Sequence, residues 1–285
     1  MIIVRHGEIY TKSDYVRHQM ISRLSNNLRK ALPGCRVVSR KWRIEVHCPK
    51  RLEKLCEQKA ARVFGVASTS AVRVVRATSL LHAIKTAALL NASKSGLKKG
   101  MSFAVRTKRL TKEFPKDSMA INREVGEFIR RRTGAAVDLE HPDVQVFIEV
   151  YGGKAYVFSK QEAGPGGLPL GSAGRMLLLL EDDNTALAGW LMLKRGAKLI
   201  CAFKRKEQKG QAAPLRGWAI PAPLLFFKRP EEEVIRWKKC LGVITSTRSP
   251  RKFADMCKRF EVPAYAPLIG LSDKRLRELR QKLLK

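Results

Sequence analysis

The sequence predicts an α+β half made of two small units, followed by a small α/β domain built on a parallel sheet. Three observations carry this reading. Strand and helix patterns follow one another as βαββαβ between Ile2 and Val75, and a strand, a helix and a hairpin fill 101–159. After Gly171, strands and helices alternate. The domains these stretches imply are 1–76, 77–170 and 171–285.

In the first unit, Ile2 to His6 alternates like a strand, and Ser13 to Leu32 carries apolar residues at helical spacing. Val37 to His47 reads as a hairpin around Ser39-Arg40, Leu52 to Phe64 as a helix, and Ala71 to Val75 as the last strand. The order is ferredoxin-like, with helices covering one sheet face and leaving the other for a partner. In the second unit a helix runs from Leu80 to about Leu90 and gives way to the polar stretch Asn91 to Gly96. Met101 to Thr107 is a strand and Ser118 to Arg132 a helix, while Val144 to Tyr151 and Lys154 to Ser159 pair through Gly152-Gly153. Basic residues gather around the strand-to-helix connection: Arg106, Lys108 and Arg109 on the strand, Lys112 and Lys116 in the loop, and Arg123, Arg130, Arg131 and Arg132 on the helix. They read either as a solvated charged face or as a footprint for an RNA backbone.

In the third unit Met176 to Leu180, Lys198 to Phe203 and Val243 to Thr247 are strands. Ala186 to Lys194, Glu231 to Lys239, Pro250 to Phe260 and Ser272 to Leu284 are helices, and Lys204 to Gly217 reads as a polar, basic loop. The first strand, turn and helix have the layout of a nucleotide site, yet the turn is Glu181-Asp182-Asp183-Asn184-Thr185. A phosphate-cradling turn needs glycines, so that backbone N–H groups can approach the ligand at a helix N-terminus. Carboxylates there repel a nucleotide phosphate by about 4 kcal/mol per close pair at an effective dielectric near 20. Two other readings of the turn stand beside this one. Asp183, Asn184 or Thr185 caps the following helix, or Glu181, Asp182 and Asp183 hold Mg²⁺.

Composition narrows the partner. Lys and Arg number 57 against 25 Asp and Glu, giving a formal charge of +32. That excess points to a polyanion, nucleic acid first, with a basic thermophile-like surface as the plain alternative. The hydrophobic content of 45% over 285 residues is enough for packed cores. No run approaches the ~18 apolar residues of a membrane span, and the N-terminus lacks a signal peptide's apolar segment, so the expected setting is cytoplasmic with no membrane partner. Cys35, Cys48, Cys56, Cys201, Cys240 and Cys257 show no CxxC and no zinc spacing, and read as buried free thiols.

The chain resembles the tRNA 4-thiouridine synthetase (tRNA sulfurtransferase) family along nearly all its length. GEIYTKSDYVRHQMISRLSNNLRKAL, with Glu8 and Lys12-Ser13, resembles the family's opening strand and helix. The stretch from Phe103 to Gly171 is similar to its THUMP domain, through Arg106, Lys108, Arg109, Phe114-Pro115, Asn122, Asp143-Val144 and the GxGGxPxG run at Gly164, Gly166, Gly167, Pro169 and Gly171. The resemblance implies a protein that binds the acceptor-stem region of tRNA through phosphates and 2′-hydroxyls. The expected RNA contacts are Lys12, Arg106, Lys108, Arg109, Lys112, Lys116, Asn122, Arg123, Arg130 and Arg131.

The family's third domain is an ATP pyrophosphatase with an SGGxDS loop, so the resemblance implies ATP and Mg²⁺ as cofactors. Aligning on GxGGxPxG puts Glu181 at the serine and Asp182-Asp183 at the two glycines; aligning on LMLKRG shifts the frame by one, and neither restores the loop. Gly242 to Met256 has also diverged from the segment that closes the family's nucleotide site, while Tyr265 to Gly270 still resembles its RPLIG segment. No cofactor is therefore expected, and no catalytic residue is assigned. Cys201, Cys240 and Cys257 are the candidates for a sulfur-carrying role, with no rhodanese region expected. The function expected is tRNA binding with a lost nucleotide loop, presenting tRNA to a separate modifying enzyme or sulfur donor. The alternatives are an active sulfurtransferase with an altered site, or an adaptor for another tRNA-modifying enzyme.

Overall fold

The computed structural model describes residues 1–40, 43–76, 81–111, 114–203, 205–218, 225–228 and 231–284. The first sheet is built from β1 (Ile2–His6), β2 (Arg36–Ser39), β3 (Ile44–His47) and β4 (Val66–Ala71), with α1 (Asp14–Ala31) and α2 (Glu53–Ala60) in the two crossovers. The strands lie in the order β4-β1-β3-β2, as a ferredoxin-like unit requires. The expected hairpin is present, and Arg40 N donates to the Arg43 carbonyl at 2.8 Å. The last strand differs from expectation: it is Val66–Ala71 rather than 71–75. Its sequence VASTSA has no large apolar residue to mark alternation, although Ser68, Thr69 and Ser70 are buried.

The residues expected to end that unit instead open the next sheet. It comprises β5 (Arg73–Arg76), β6 (Ser102–Arg109), β7 (Ala136–Val137), β8 (Val144–Tyr151) and β9 (Lys154–Phe158), in the order β5-β9-β8-β6-β7. A further short strand, β10 (Glu162–Ala163), adds to the edge of the first sheet beside β4. The alternate residues Val144, Val146, Ile148 and Val150 of β8 turn into one core with Ile84 and Ala88 of α3 (Leu81–Lys94) and Ile121, Val125 and Ile129 of α4 (Ser118–Thr133). Helix α3 runs on to Lys94, past the break expected at Asn91, because Asn91 Nδ2 satisfies the Ala87 carbonyl and the left-handed stop comes only at Gly96. The expected start of this helix, Leu80, lies outside the described residues. Helix α4 begins where Asp117 accepts from Ala120 N at 2.7 Å and ends at Gly134, φ 68°.

The third sheet is wholly parallel. Its strands are β11 (Arg175–Leu179), β12 (Lys198–Ala202), β13 (Leu225–Phe227), β14 (Val243–Ile244) and β15 (Ala264–Tyr265), in the order β13-β12-β11-β14-β15. Counted from β11 this is 3-2-1-4-5, the doubly wound arrangement, with its switch point between β11 and β14. Leu178 and Leu180 face one core with α5 (Thr185–Lys194) and α8 (Asp273–Leu284). Leu177 and Leu179 face the other, with α6 (Glu231–Lys238) and Phe260, which follows α7 (Pro250–Arg259). Burial on both faces explains the unbroken apolar run of β11. The expected loop at 204–217 is instead a 3-10 helix over Lys206–Leu215, which buries Ala212 and Leu215; Lys204 lies outside the described residues.

The described chain gathers into two compact units: Met1–Ile3, Val46–Glu57 and Thr69–Glu162 form one, and Val4–Glu45, Gln58–Ser68 and Ala163–Lys285 the other. The glycine run belongs to the second. A Cβ at Gly164 would lie 2.2 Å from the Val66 carbonyl oxygen, and one at Gly167, φ +72°, 2.1 Å from the Lys194 oxygen. Gly166 N donates to Val66 O and Leu168 N to Lys194 O. These glycines are required for backbones to pass this closely.

Candidate nucleic-acid interface

A groove of about 940 Å³ runs between β6 and α4, lined by Phe103, Arg106, Asn122, Arg123, Arg130 and Leu139 among others. Its shape follows from the alternation on β6. Phe103 and Val105 are buried in the core while Arg106 and Lys108 emerge as exposed side chains. Arg106 Nη2 donates to the Leu139 carbonyl at 2.8 Å, which fixes the guanidinium beside the groove. Asn122 Oδ1 accepts from Thr107 N at 2.8 Å, so this residue ties α4 to β6 and serves as a positioning group. Arg123 and Lys108 are exposed and have no carboxylate partner among the described residues. The groove also has apolar surface that sequence reasoning missed: Met119 is 70% exposed, Leu139 65% and Val137 50%. Only their position beside a short edge strand gives them meaning.

The other expected contacts divide by what they already hold. Arg109 Nη1 donates to the carbonyls of Phe114 at 3.1 Å and Lys116 at 3.0 Å, bracing the loop. Lys116 and Lys85 both pair with Glu124. Arg130 and Arg131 share Glu127, at 2.9 and 2.6 Å, and hold its carboxyl down to about 2. Both arginines stay exposed, so a phosphate can compete with Glu127 at modest cost. Lys112 lies outside the described residues, and Lys12 is exposed in the second unit and does not line this groove.

That second unit holds a cation cluster the sequence did not single out. Burial lowers the Lys198 pKa, and Lys30, Arg23 and Arg175 lower it further. Arg23 Nη1 donates to the Gly171 carbonyl at 2.7 Å, and Lys198 Cε crowds the same glycine. Like charges held together in this way favour an anion between them.

In the acidic turn Glu181 is an exposed residue whose carboxylate is nevertheless held by hydrogen bonds. Glu181 Oε2 accepts from Thr245 Oγ1 at 2.6 Å and from Ser246 N and Oγ, each at 3.0 Å. Thr245 and Ser246 follow β14, so this carboxylate bridges the two strands at the switch point. The cavity beside it, lined also by Gln208, Glu231 and Arg259, measures about 160 Å³. The expected helix cap is not made: Asn184 stands at the cap position of α5 without a side-chain capping bond. Instead Thr185 Oγ1 accepts from Glu181 N at 3.1 Å and Asp182 N at 3.2 Å, while Asp182 Oδ1 accepts from Asn184 N at 2.8 Å. The turn's own amides take the hydroxyl because its backbone folds over Thr185, which is fully buried. Asp182 and Asp183 are exposed, and no group of three or more His, Cys, Asp or Glu among the described residues converges on a metal-sized site. Among the cysteines considered for sulfur transfer, burial pushes the Cys201 thiol up to about 12 and Cys240 to about 11, which leaves both protonated at neutral pH; Cys257 is exposed.

Comparison with known proteins places these features. Residues 78–160 match the THUMP domain and residues 1–70 the ThiI ferredoxin-like domain. The probable tRNA sulfurtransferase of Methanocaldococcus jannaschii is 33% identical over 216 residues, 73% of this chain and 56% of that protein. That of Thermococcus kodakarensis is 36% identical over 207 residues, 70% and 54% respectively. The chain belongs to the THUMP-domain tRNA sulfurtransferase family. It spans about half the length of these curated family members. The crystal structure of PH1313 from Pyrococcus horikoshii matches it with a TM-score of 0.87 at 32% identity, covering 99% of this chain and 98% of that one. The crystal structure of a 4-thiouridine synthetase–RNA complex with bound ATP shares the fold, with a TM-score of 0.81 at 20% identity and coverage of 99% and 84%. Within the family frame, the groove lies in the THUMP domain and the acidic turn lies beyond both matched domains. Among the described residues, no helix is long and apolar enough to cross a membrane.

Proposed function

We propose that this protein binds tRNA at its acceptor-stem region through the ferredoxin-like and THUMP domains, and that it does not adenylate tRNA by itself. The observation that carries the second half is the Glu181 carboxylate bonded across the switch point to Thr245 and Ser246. Open α/β sheets bind ligands in that crevice. The residues present do not fit ATP and Mg²⁺. The turn offers carboxylates in place of a glycine cradle, and both cavities it borders, about 160 Å³ at Glu181 and about 620 Å³ at Asp183, present a carboxylate where a phosphate would sit. The groove of exposed arginines supports the first half, since cations on phosphates and sugars position an RNA backbone.

A filter-binding titration on tRNA tests RNA binding, and affinity is expected to fall steeply with salt as counterions are released. Salt-insensitive or absent binding refutes that part. Calorimetry with ATP and Mg²⁺ tests the other part and is expected to show no binding heat. A second reading, an active sulfurtransferase, is favoured by the names of the curated relatives. ATP-dependent appearance of thiouridine in tRNA with a sulfide donor would establish it and displace the first.

A further inference from the structure

We propose that Cys48 and Cys56 are a dithiol pair that closes to a reversible disulfide by exchange with an anionic low-molecular-weight disulfide. Cys48 follows β3 and Cys56 sits on α2, and their thiols are close enough to share a hydrogen bond. Eight positions apart in sequence, they are brought together by the turn Lys50–Leu52 that leads into α2. Cys56 is buried, whereas Cys48 is half-buried and lines a cavity of about 500 Å³ with Lys50, Arg73 and Lys94. The Met1 ammonium at this cavity pairs with Glu53. Lys50, Arg73 and Lys94 have no carboxylate partner among the described residues. A cavity with three uncompensated cations and one accessible sulfur suits a reagent that carries carboxylates and an S–S bond.

The exchange balances in two steps. The Cys48 thiolate attacks one sulfur of the small disulfide, whose S–S bond breaks and whose departing thiolate takes up the proton that Cys48 released. The Cys56 sulfur, having lost its proton to solvent, then attacks Cys48 in the mixed disulfide and expels the second small thiolate, which is protonated in turn. The protein loses two thiol hydrogens and the small disulfide is reduced to two thiols. Burial raises the Cys48 pKa, as do the neighbouring Cys56 and the Glu53 carboxylate, while the Met1 ammonium pulls the other way. Exchange is therefore slow at neutral pH and accelerates as pH rises through the thiol's titration.

The test uses the full chain and oxidised glutathione as the probe, read by peptide mass spectrometry. The expected result is a linked Cys48–Cys56 peptide, reversed by a dithiol reductant, while the exposed Cys257 acquires only a mixed adduct. The linked peptide should form from the Cys48 mixed disulfide faster in the folded protein than in urea, a comparison that needs no variant. Lys50→Glu with Lys94→Glu should slow the reaction with oxidised glutathione more than that with neutral hydroxyethyl disulfide. The pair is refuted if Cys257 reacts and no Cys48–Cys56 peptide appears, or if folding gives no acceleration. Equal slowing of both reagents by the charge reversals would overturn the role of the cations.

Discussion

The groove beside β6 and the crevice between β11 and β14 show how differently one chain treats two places where a ligand can enter. The first measures about 940 Å³ and is lined with exposed arginines. At the second, Glu181 borders a cavity of about 160 Å³ and its carboxylate accepts three hydrogen bonds, while Asp183 borders a neighbouring cavity of about 620 Å³. In the proposed reading, the groove gains when a polyanion reaches Arg123, which has no carboxylate partner among the described residues, while Thr245 and Ser246 already have an acceptor in Glu181. The contrast separates residues that hold the fold from residues available to bind.

Glu181→Ala should have the largest effect. It leaves Thr245 Oγ1 and both Ser246 donors without their acceptor in a buried place, a loss of about 3 kcal/mol measured as a shift in the denaturation midpoint. A neutral result, or the appearance of ATP binding in this variant, breaks the comparison. Asn122→Ala comes next, at about 1 kcal/mol, because it frees the Thr107 amide. Its tRNA affinity should fall through displacement of α4, so stability and affinity drop together.

Arg123→Ala should behave in the opposite way, with stability changed by less than about 0.5 kcal/mol and the slope of log affinity against log salt reduced by about 1. Lys116→Ala, whose cation is already engaged by Glu124, should move the slope less than Arg123→Ala does. An equal change would place both residues on the RNA. The smallest effect concerns pH. The folded-state pKa of Glu127 is depressed to about 2 by Arg130 and Arg131, so the contribution of these ion pairs is full above the ordinary carboxylate pKa near 4.5. It is lost as pH falls through about 2. An NMR titration of the Glu127 carboxyl should place its midpoint there, and a midpoint near 4.5 would release both arginines from the pairing.

Much of the fold was legible because it is carried by periodicity. The alternation Val144 to Tyr151, the glycine pair 152–153 and the apolar run after Arg175 each fix an element by itself. Elements whose stability comes from elsewhere were not legible. β13 and β15 have three and two residues, too few to show a period, and exist because neighbouring strands offer them hydrogen bonds. The 3-10 helix Lys206–Leu215 looked like a loop because only Ala212 and Leu215 are buried in it. Among the site residues, charge marked Arg106, Lys108 and Arg123 correctly as exposed cations, yet could not show that Arg109 braces a loop or that Asn122 holds a helix.

The sequence by itself determined the order of the elements, the excess of positive charge and the run of acids in the turn after β11, since all three are local properties of residues. Tertiary structure alone decided what the acid does there. The meaning of Glu181 depends on Thr245 and Ser246, more than sixty positions away, which approach only because β14 lies beside β11 in the parallel sheet. The same holds for Lys198, whose proton affinity is set by burial and by cations on α1 and β11. Charge can be counted along a chain, but its energy is fixed by distance and desolvation, and those exist only once the chain has folded.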